Sequence, residues 1–275
     1  MLRQRLLIIF FLLPIWIYTI FMGAPLFTLV MIGALTIGIW EYRSIFRIGG
    51  YKPADFSLIA SVIGFSFLRT WIGLEWDLLL LVVLVLSSIT YHLISYERGR
   101  ENASMDFLVT LGGIVYIGLF GSYFVALREL PNGAWWLLIV LTGVCLGDSG
   151  GYIIGKWLGK RKLSPRLSPQ KTIEGYIGGI VFGTLFTPLL FLLYRHLGLP
   201  PDSGITFLRV SIIGSIMSVF TPLGDLAISM FKRTYEVKDS GTILPGHGGI
   251  LDRIDSWLWS VLIGFYLITL FFILD

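Results

Sequence analysis

The side chains with the most chemical potential are gathered in one stretch near the C-terminus, Asp225 to Asp255. Asp225, Ser229 and Lys232 recur at i, i+4 and i+7, so they line one face of a helix. Asp252 and Asp255, at i and i+3, share a face of another. Between them lie Lys238-Asp239 and the turn Gly246-His247-Gly248-Gly249. Three carboxylates, Asp225, Asp252 and Asp255, offer the hard oxygen donors that Mg²⁺ takes. Lys232, Arg233, Lys238 and Arg253 would repel one another unless a polyanion such as a triphosphate lay among them. Gly246, Gly248 and Gly249 would let backbone N–H groups approach phosphate oxygens. Metal, bases and glycine turn are together the equipment of phosphoryl-transfer sites, where positioning and charge neutralisation do the catalysis. Each piece has a plainer reading: a topology anchor for Lys232-Arg233, an ordinary turn for Gly248-Gly249, a hydrogen-bonding loop residue for His247. Their density in one segment favours the shared site. With one His and no Cys there, zinc is disfavoured.

The elements that must position these groups are apolar. Of 275 residues, 55% are hydrophobic and 14% charged, against roughly 25% charged in soluble domains. A soluble fold could not hide that surface, so an all-α, polytopic integral membrane protein is expected. A spanning helix needs about 20 apolar residues. Nine stretches qualify or nearly so: 6–22, 25–40, 54–73, 78–96, 106–127, 135–157, 176–194, 205–230 and 256–274. Placing the N-terminus in the cytoplasm and the C-terminus outside puts 17 of the 21 Lys and Arg on the inner side, with Arg128 and Arg195 outside and Arg69 and Arg209 within spans. That asymmetry is what the positive-inside rule demands. A signal peptide is the alternative for residues 1–24, but the apolar run to Met22 is long for one. The single cysteine, Cys145, allows no internal disulfide.

Two regions are expected: residues 1–130, transmembrane scaffold helices, and residues 131–275, a transmembrane catalytic region whose site faces the cytoplasm. Asp148 falls about 15 Å from the inner end of its span, and Asp225 about 10 Å above Lys232. Intramembrane acids are costly and usually functional. The structural alternative is an ion pair, with Arg69 and Arg209 as available partners. Gly147, Gly151 and Gly155 share one helix face, a pattern that lets helices approach closely and also leaves room beside Asp148.

Residues 229–255 resemble the signature of phosphatidate cytidylyltransferases, or CDP-diacylglycerol synthases. Ser229, Lys232-Arg233, Lys238-Asp239, Gly241, Leu244-Pro245, His247-Gly248-Gly249 and Asp252-Arg253-Ile254-Asp255 all fit that pattern. Ser168-Pro169-Gln170-Lys171-Thr172-Ile173-Glu174-Gly175 and Gly147-Asp148-Ser149-Gly150-Gly151 also resemble family motifs. The resemblance implies synthesis of CDP-diacylglycerol and pyrophosphate from CTP and phosphatidate, with Mg²⁺ and room for a second cation. It implies Asp225, Asp252 and Asp255 as metal ligands. Lys232, Arg233, Lys238, Asp239, His247 and Arg253 would join them in the catalytic set. Asp148, Ser164, Ser168, Lys171, Ser229, Gly246, Gly248 and Gly249 would hold substrate. The partners implied are CTP, phosphatidate and membrane lipid. The site would face the cytoplasm from the cell membrane, no nucleic acid is involved, and a homodimer is allowed. Two rival classes remain: a CTP-dependent lipid-alcohol kinase, which would release CDP, and a transporter, which the one-sided polar groups disfavour.

Overall fold

A computed structural model of the chain describes residues 13–243 and 248–273. The regular structure of the described residues is helical apart from one short hairpin: α1 (Leu13–Met22), α2 (Leu26–Ile48), α3 (Asp55–Trp71), α4 (Asp77–Glu97), α5 (Ala103–Gly113), α6 (Phe120–Glu129), α7 (Gly133–Leu158), β1 (Lys162–Ser164), β2 (Ser168–Thr172), α8 (Ile173–His196), α9 (Phe207–Thr234) and α10 (Leu251–Ile268). A π-helical turn, Ile114–Leu119, joins α5 to α6, and another, Thr269–Ile273, extends α10.

Among the described residues, seven helical runs are long and apolar enough to cross a membrane: Leu26–Ile48, Leu74–Glu97, Ala103–Glu129, Gly133–Leu158, Ile173–His196, Phe207–Thr234 and Leu251–Ile273. The protein is a polytopic, all-α membrane protein. The stretches expected at 54–73 and 6–22 hold the 17-residue α3 and, within the described residues, α1. Helix α10 starts five residues before the stretch expected from residue 256, because Asp252, Arg253 and Asp255 depress local hydropathy without breaking the helix.

The chain divides into two compact units. The first joins residues 1–129 to 231–254, so the end of α9 and the start of α10 pack with the N-terminal helices. Its core is aromatic near the end of α9: Phe231 lies against Tyr42, Phe46 and Tyr116, and Tyr235 against Phe46 and Tyr51. Several of the polar ties within it are ionic. Arg43 and Arg47 both reach Asp55, and Arg100 holds the buried Asp106. Arg69, near the end of α3, pairs with Asp77 at 2.6 Å and lies over the Tyr123 ring.

The second unit comprises residues 130–230 and 255–275. Its central feature is the close packing of α7 on α8. A methyl group at Gly175 would stand 2.6 Å from the Gly151 carbonyl oxygen, and one at Gly179 would stand 2.6 Å from that of Gly147. Only glycines let two backbones approach so far, and this is the packing work expected of Gly147, Gly151 and Gly155. Arg209 donates to the Gly204 carbonyl at 2.8 Å and lies over the Phe272 ring. The two arginines expected as partners for the membrane acids are therefore engaged elsewhere.

Candidate active site

In the second unit, the hairpin between α7 and α8 carries the motif that begins at Ser168. Strands β1 and β2 are antiparallel, with Ser164 opposite Ser168. Thr172 caps α8, its hydroxyl accepting from the Gly175 N–H at 3.1 Å. Glu174, in the first turn of α8, accepts from the backbone N–H groups of Lys160 and Arg161. A carboxylate is favoured there by the helix dipole. The motif thus fixes both ends of the hairpin that carries Lys171, whose Nζ pairs with Asp225 Oδ2 on α9. Asp225 Oδ1 accepts a longer bond, 3.4 Å, from Ser229.

A cavity of about 570 Å³ opens beside this pair, bounded by α7, the hairpin, α8 and α9. Asp148, Ser168, Lys171 and Gln170 of the same motif line it, as do Lys156, Lys162, Tyr152 and Tyr176, which the sequence did not single out. Gly147, Gly151 and Gly155 form its floor, so the glycine face both packs α8 and leaves space. Three lysines and one carboxylate on the wall suit a ligand with several negative charges. Asp148 feels the charges of both Lys171 and Asp225. Ser164 is not part of the wall. Asp255 is buried and accepts from the Ser256 N–H at 2.7 Å.

In the first unit, Lys232 donates to Asp252 Oδ1 at 2.6 Å, and both side chains are buried. Asp252 Oδ2 accepts from the backbone N–H groups of Ser240 (2.8 Å) and Gly249 (3.0 Å). Gly248 has φ +81°, a left-handed conformation that suits glycine, and a methyl group there would stand 2.8 Å from Asp252 Oδ2. Asp239, exposed like Lys238, flanks the same glycine. Arg233 donates to the Val237 carbonyl at 3.1 Å, and Arg253 is exposed. Gly246 and His247 lie outside the described residues.

One residue here escaped the sequence reading. Glu41, on α2, is buried and accepts from Ser240 Oγ and from the N–H groups of Ile250 and Leu251. Its only sequence signal is a lone acid near the inner end of an apolar run.

Within neither unit do three His, Cys, Asp or Glu side chains gather into a closed metal cage among the described residues. The donor chemistry nonetheless fits Mg²⁺, which binds through one or two carboxylates plus waters and substrate phosphates.

The model of the cytidylyltransferase family matches residues 3–271, nearly the whole chain. This chain belongs to that family. It is 38% identical over 164 residues to the phosphatidate cytidylyltransferase of Bacillus subtilis, covering 59% of this chain and 58% of that protein. It is 35% and 39% identical over 176 residues to the phosphatidate cytidylyltransferases of Staphylococcus haemolyticus and Staphylococcus saprophyticus, covering 63% of this chain and 64% of each. The matched stretch therefore spans about three fifths of the length of these curated relatives. Membership accords with the signature at 229–255 and with the two motifs upstream of it.

Proposed function

We propose that this protein is a phosphatidate cytidylyltransferase, making CDP-diacylglycerol and pyrophosphate from CTP and phosphatidate. The observation that carries the reading is the lysine-lined cavity beside the Lys171–Asp225 pair, within helices apolar enough to lie in lipid. Phosphatidate cannot leave the bilayer and CTP cannot cross it. A charged cavity in membrane helices, opening on the cytoplasmic side, serves both.

A phosphate oxygen of phosphatidate attacks the α-phosphorus of CTP in line. The new P–O bond forms as the bond to the β-phosphate breaks, and pyrophosphate leaves. The nucleophile is already an anion, so no strong general base is required. The barrier is chiefly repulsion between phosphates, which fixed positive charge lowers. Lys171 and Lys232 each neutralise a carboxylate, Asp225 and Asp252. On substrate binding they turn to phosphate oxygens and free those carboxylates. Lys156 and Lys162 add charge to the cavity wall. Arg233, Lys238 and Arg253 bind phosphate oxygens, Asp239 and His247 orient them, the N–H groups of Gly246 and Gly248 complete the nest, and Gly249 lets the backbone come close while its N–H stays on Asp252. Asp148, Ser168 and Ser229 hold substrate by hydrogen bonds, and Ser164, opposite Ser168 in the hairpin, supports the strand that carries it. Asp225, Asp252 and Asp255 would hold Mg²⁺, with room for a second cation. The bound cation would supply charge neutralisation at the triphosphate. Residues 131–275 would carry most of this chemistry and residues 1–130 would support it.

The test is purified protein in detergent with CTP labelled at the α-phosphate, phosphatidate and Mg²⁺. Labelled lipid and one pyrophosphate per turnover are expected. Release of CDP with a lipid alcohol as acceptor would point to a kinase, and no labelled lipid would overturn the assignment.

A further inference from the structure

Glu41 is 3% exposed, yet its carboxylate receives three hydrogen bonds from a segment about 200 residues away in sequence. Oε2 accepts from Ser240 Oγ (2.9 Å) and from the Leu251 N–H (2.8 Å), and Oε1 accepts from the Ile250 N–H (3.0 Å). The two amides stand at the start of α10, where a helix has no internal acceptors for its first N–H groups. A buried carboxylate is costly unless hydrogen-bonded, and a negative charge is favoured at that helix end. Glu41 therefore caps α10 from a different helix.

The same carboxylate accounts for two glycines of the signature segment. A methyl group at Gly241 would stand 2.5 Å from Glu41 Oε1, and one at Gly249 would overlap both Ser240 Oγ and Glu41 Oε2, which are hydrogen-bonded to each other. Ser240 links two acids: its N–H goes to Asp252 and its O–H to Glu41. Gly249 gives its N–H to Asp252 while lying against Glu41. Glu41 and Asp252 thus hold the same short stretch of backbone from two sides.

We infer that Glu41 is a positioning residue of the reaction: it seats the start of α10 and its flanking glycines so that Asp252 and Lys232 keep their working geometry. It touches no reacting group and acts through Asp252 and the glycine backbone. The activity arm of this inference rests on the proposed cytidylyltransferase reading; its structural arm does not.

The experiment compares Glu41→Gln and Glu41→Ala in the full-length protein. For Glu41→Gln, which keeps shape and one acceptor oxygen, kcat is expected to fall about 10-fold, and for Glu41→Ala about 100-fold, the scale of a small misplacement acting at a distance. KM for CTP should move by less than about threefold, since no substrate contact is removed. Hydrogen–deuterium exchange at the Ile250 and Leu251 amides should quicken in both variants, while peptides from α7 and α8 stay as in the wild type. In a double-mutant cycle, Gly241→Ala, whose added methyl meets only Glu41 within its nearest neighbours, should cost activity in the wild type and little more in Glu41→Ala. If wild-type protein turns over no CTP, the activity reading fails and amide exchange still decides the role of Glu41. Unchanged exchange at Ile250 and Leu251, or faster exchange across α7 and α8 as well, would overturn the inference. So would near-wild-type kcat in Glu41→Ala of an active enzyme.

Discussion

Lys232 reaches across 20 residues of sequence to donate to Asp252 at 2.6 Å, and both side chains are nearly shut off from solvent. Asp252 is therefore saturated: one oxygen takes the ammonium and the other two backbone amides. Breaking a buried pair from one side leaves the other charge stranded, at a cost of about 3 kcal/mol or more. Lys232→Ala should lower stability by about that amount, seen as a lower melting temperature in detergent. Asp252→Asn keeps an acceptor oxygen and should stay folded, while CTP-dependent turnover falls at least about 100-fold. Turnover near the wild-type level would take Asp252 out of the site.

The pair between Lys171 and Asp225 is of another kind. Its side chains are 26% and 29% exposed, against 9% and 6% for Lys232 and Asp252, so it is less enclosed by protein. Lys171→Met should cost less than about 1 kcal/mol in stability but about 100-fold in kcat, the usual loss when one group that stabilises developing charge is removed. Chelation with EDTA should abolish turnover, and added Mg²⁺ should restore it. In Asp225→Asn, the Mg²⁺ concentration for half-maximal activity should rise at least about 10-fold. Full activity in EDTA would remove the metal from the mechanism.

The membrane architecture was readable because lipid imposes one demand, about 20 apolar residues per helix, which no solvated structure imitates. The glycine face on α7 was readable too, since a four-residue repeat on a helix has few uses. The pairing of Lys171 with Asp225 was not. The two lie on different elements 54 residues apart, and a single sequence gives no register between a hairpin and a helix. Glu41 was hidden for a related reason. One acid followed by Arg43 and Arg47 looks like the inner edge of a span, and its partners are backbone amides, which every residue carries. The hairpin β1–β2 left no periodic trace, being three and five residues long.

The α7–α8 interface makes a sharp stability prediction. Gly179→Ala places a methyl 2.6 Å from the Gly147 carbonyl oxygen, so the helices must separate. Overpacking of this kind costs about 1–3 kcal/mol, and the cavity between the helices should deform with it. Gly33→Ala in α2 is the control: nothing lies within 4 Å of its added methyl. Thermal unfolding in detergent should separate the two by several degrees. Equal melting temperatures would mean that the close approach carries no stability.

The hairpin that carries Lys171 depends on two small clamps, and they should fail differently. Thr172 accepts from the Gly175 N–H as the cap of α8, so Thr172→Ala should cost about 1 kcal/mol of stability. Glu174 lies near the surface and holds the Lys160 and Arg161 amides. Glu174→Ala should barely change the melting temperature, because exposed bonds contribute little. Its effect should appear in the hairpin instead. Lys160, Arg161, Lys162 and Arg166 are trypsin sites within or beside the strands, and cleavage there should quicken as the clamp is lost. KM for CTP should rise as Lys171 loses its fixed place, with kcat falling less. Protection of all four sites in Glu174→Ala, with KM unchanged, would show that the strands hold the hairpin without it.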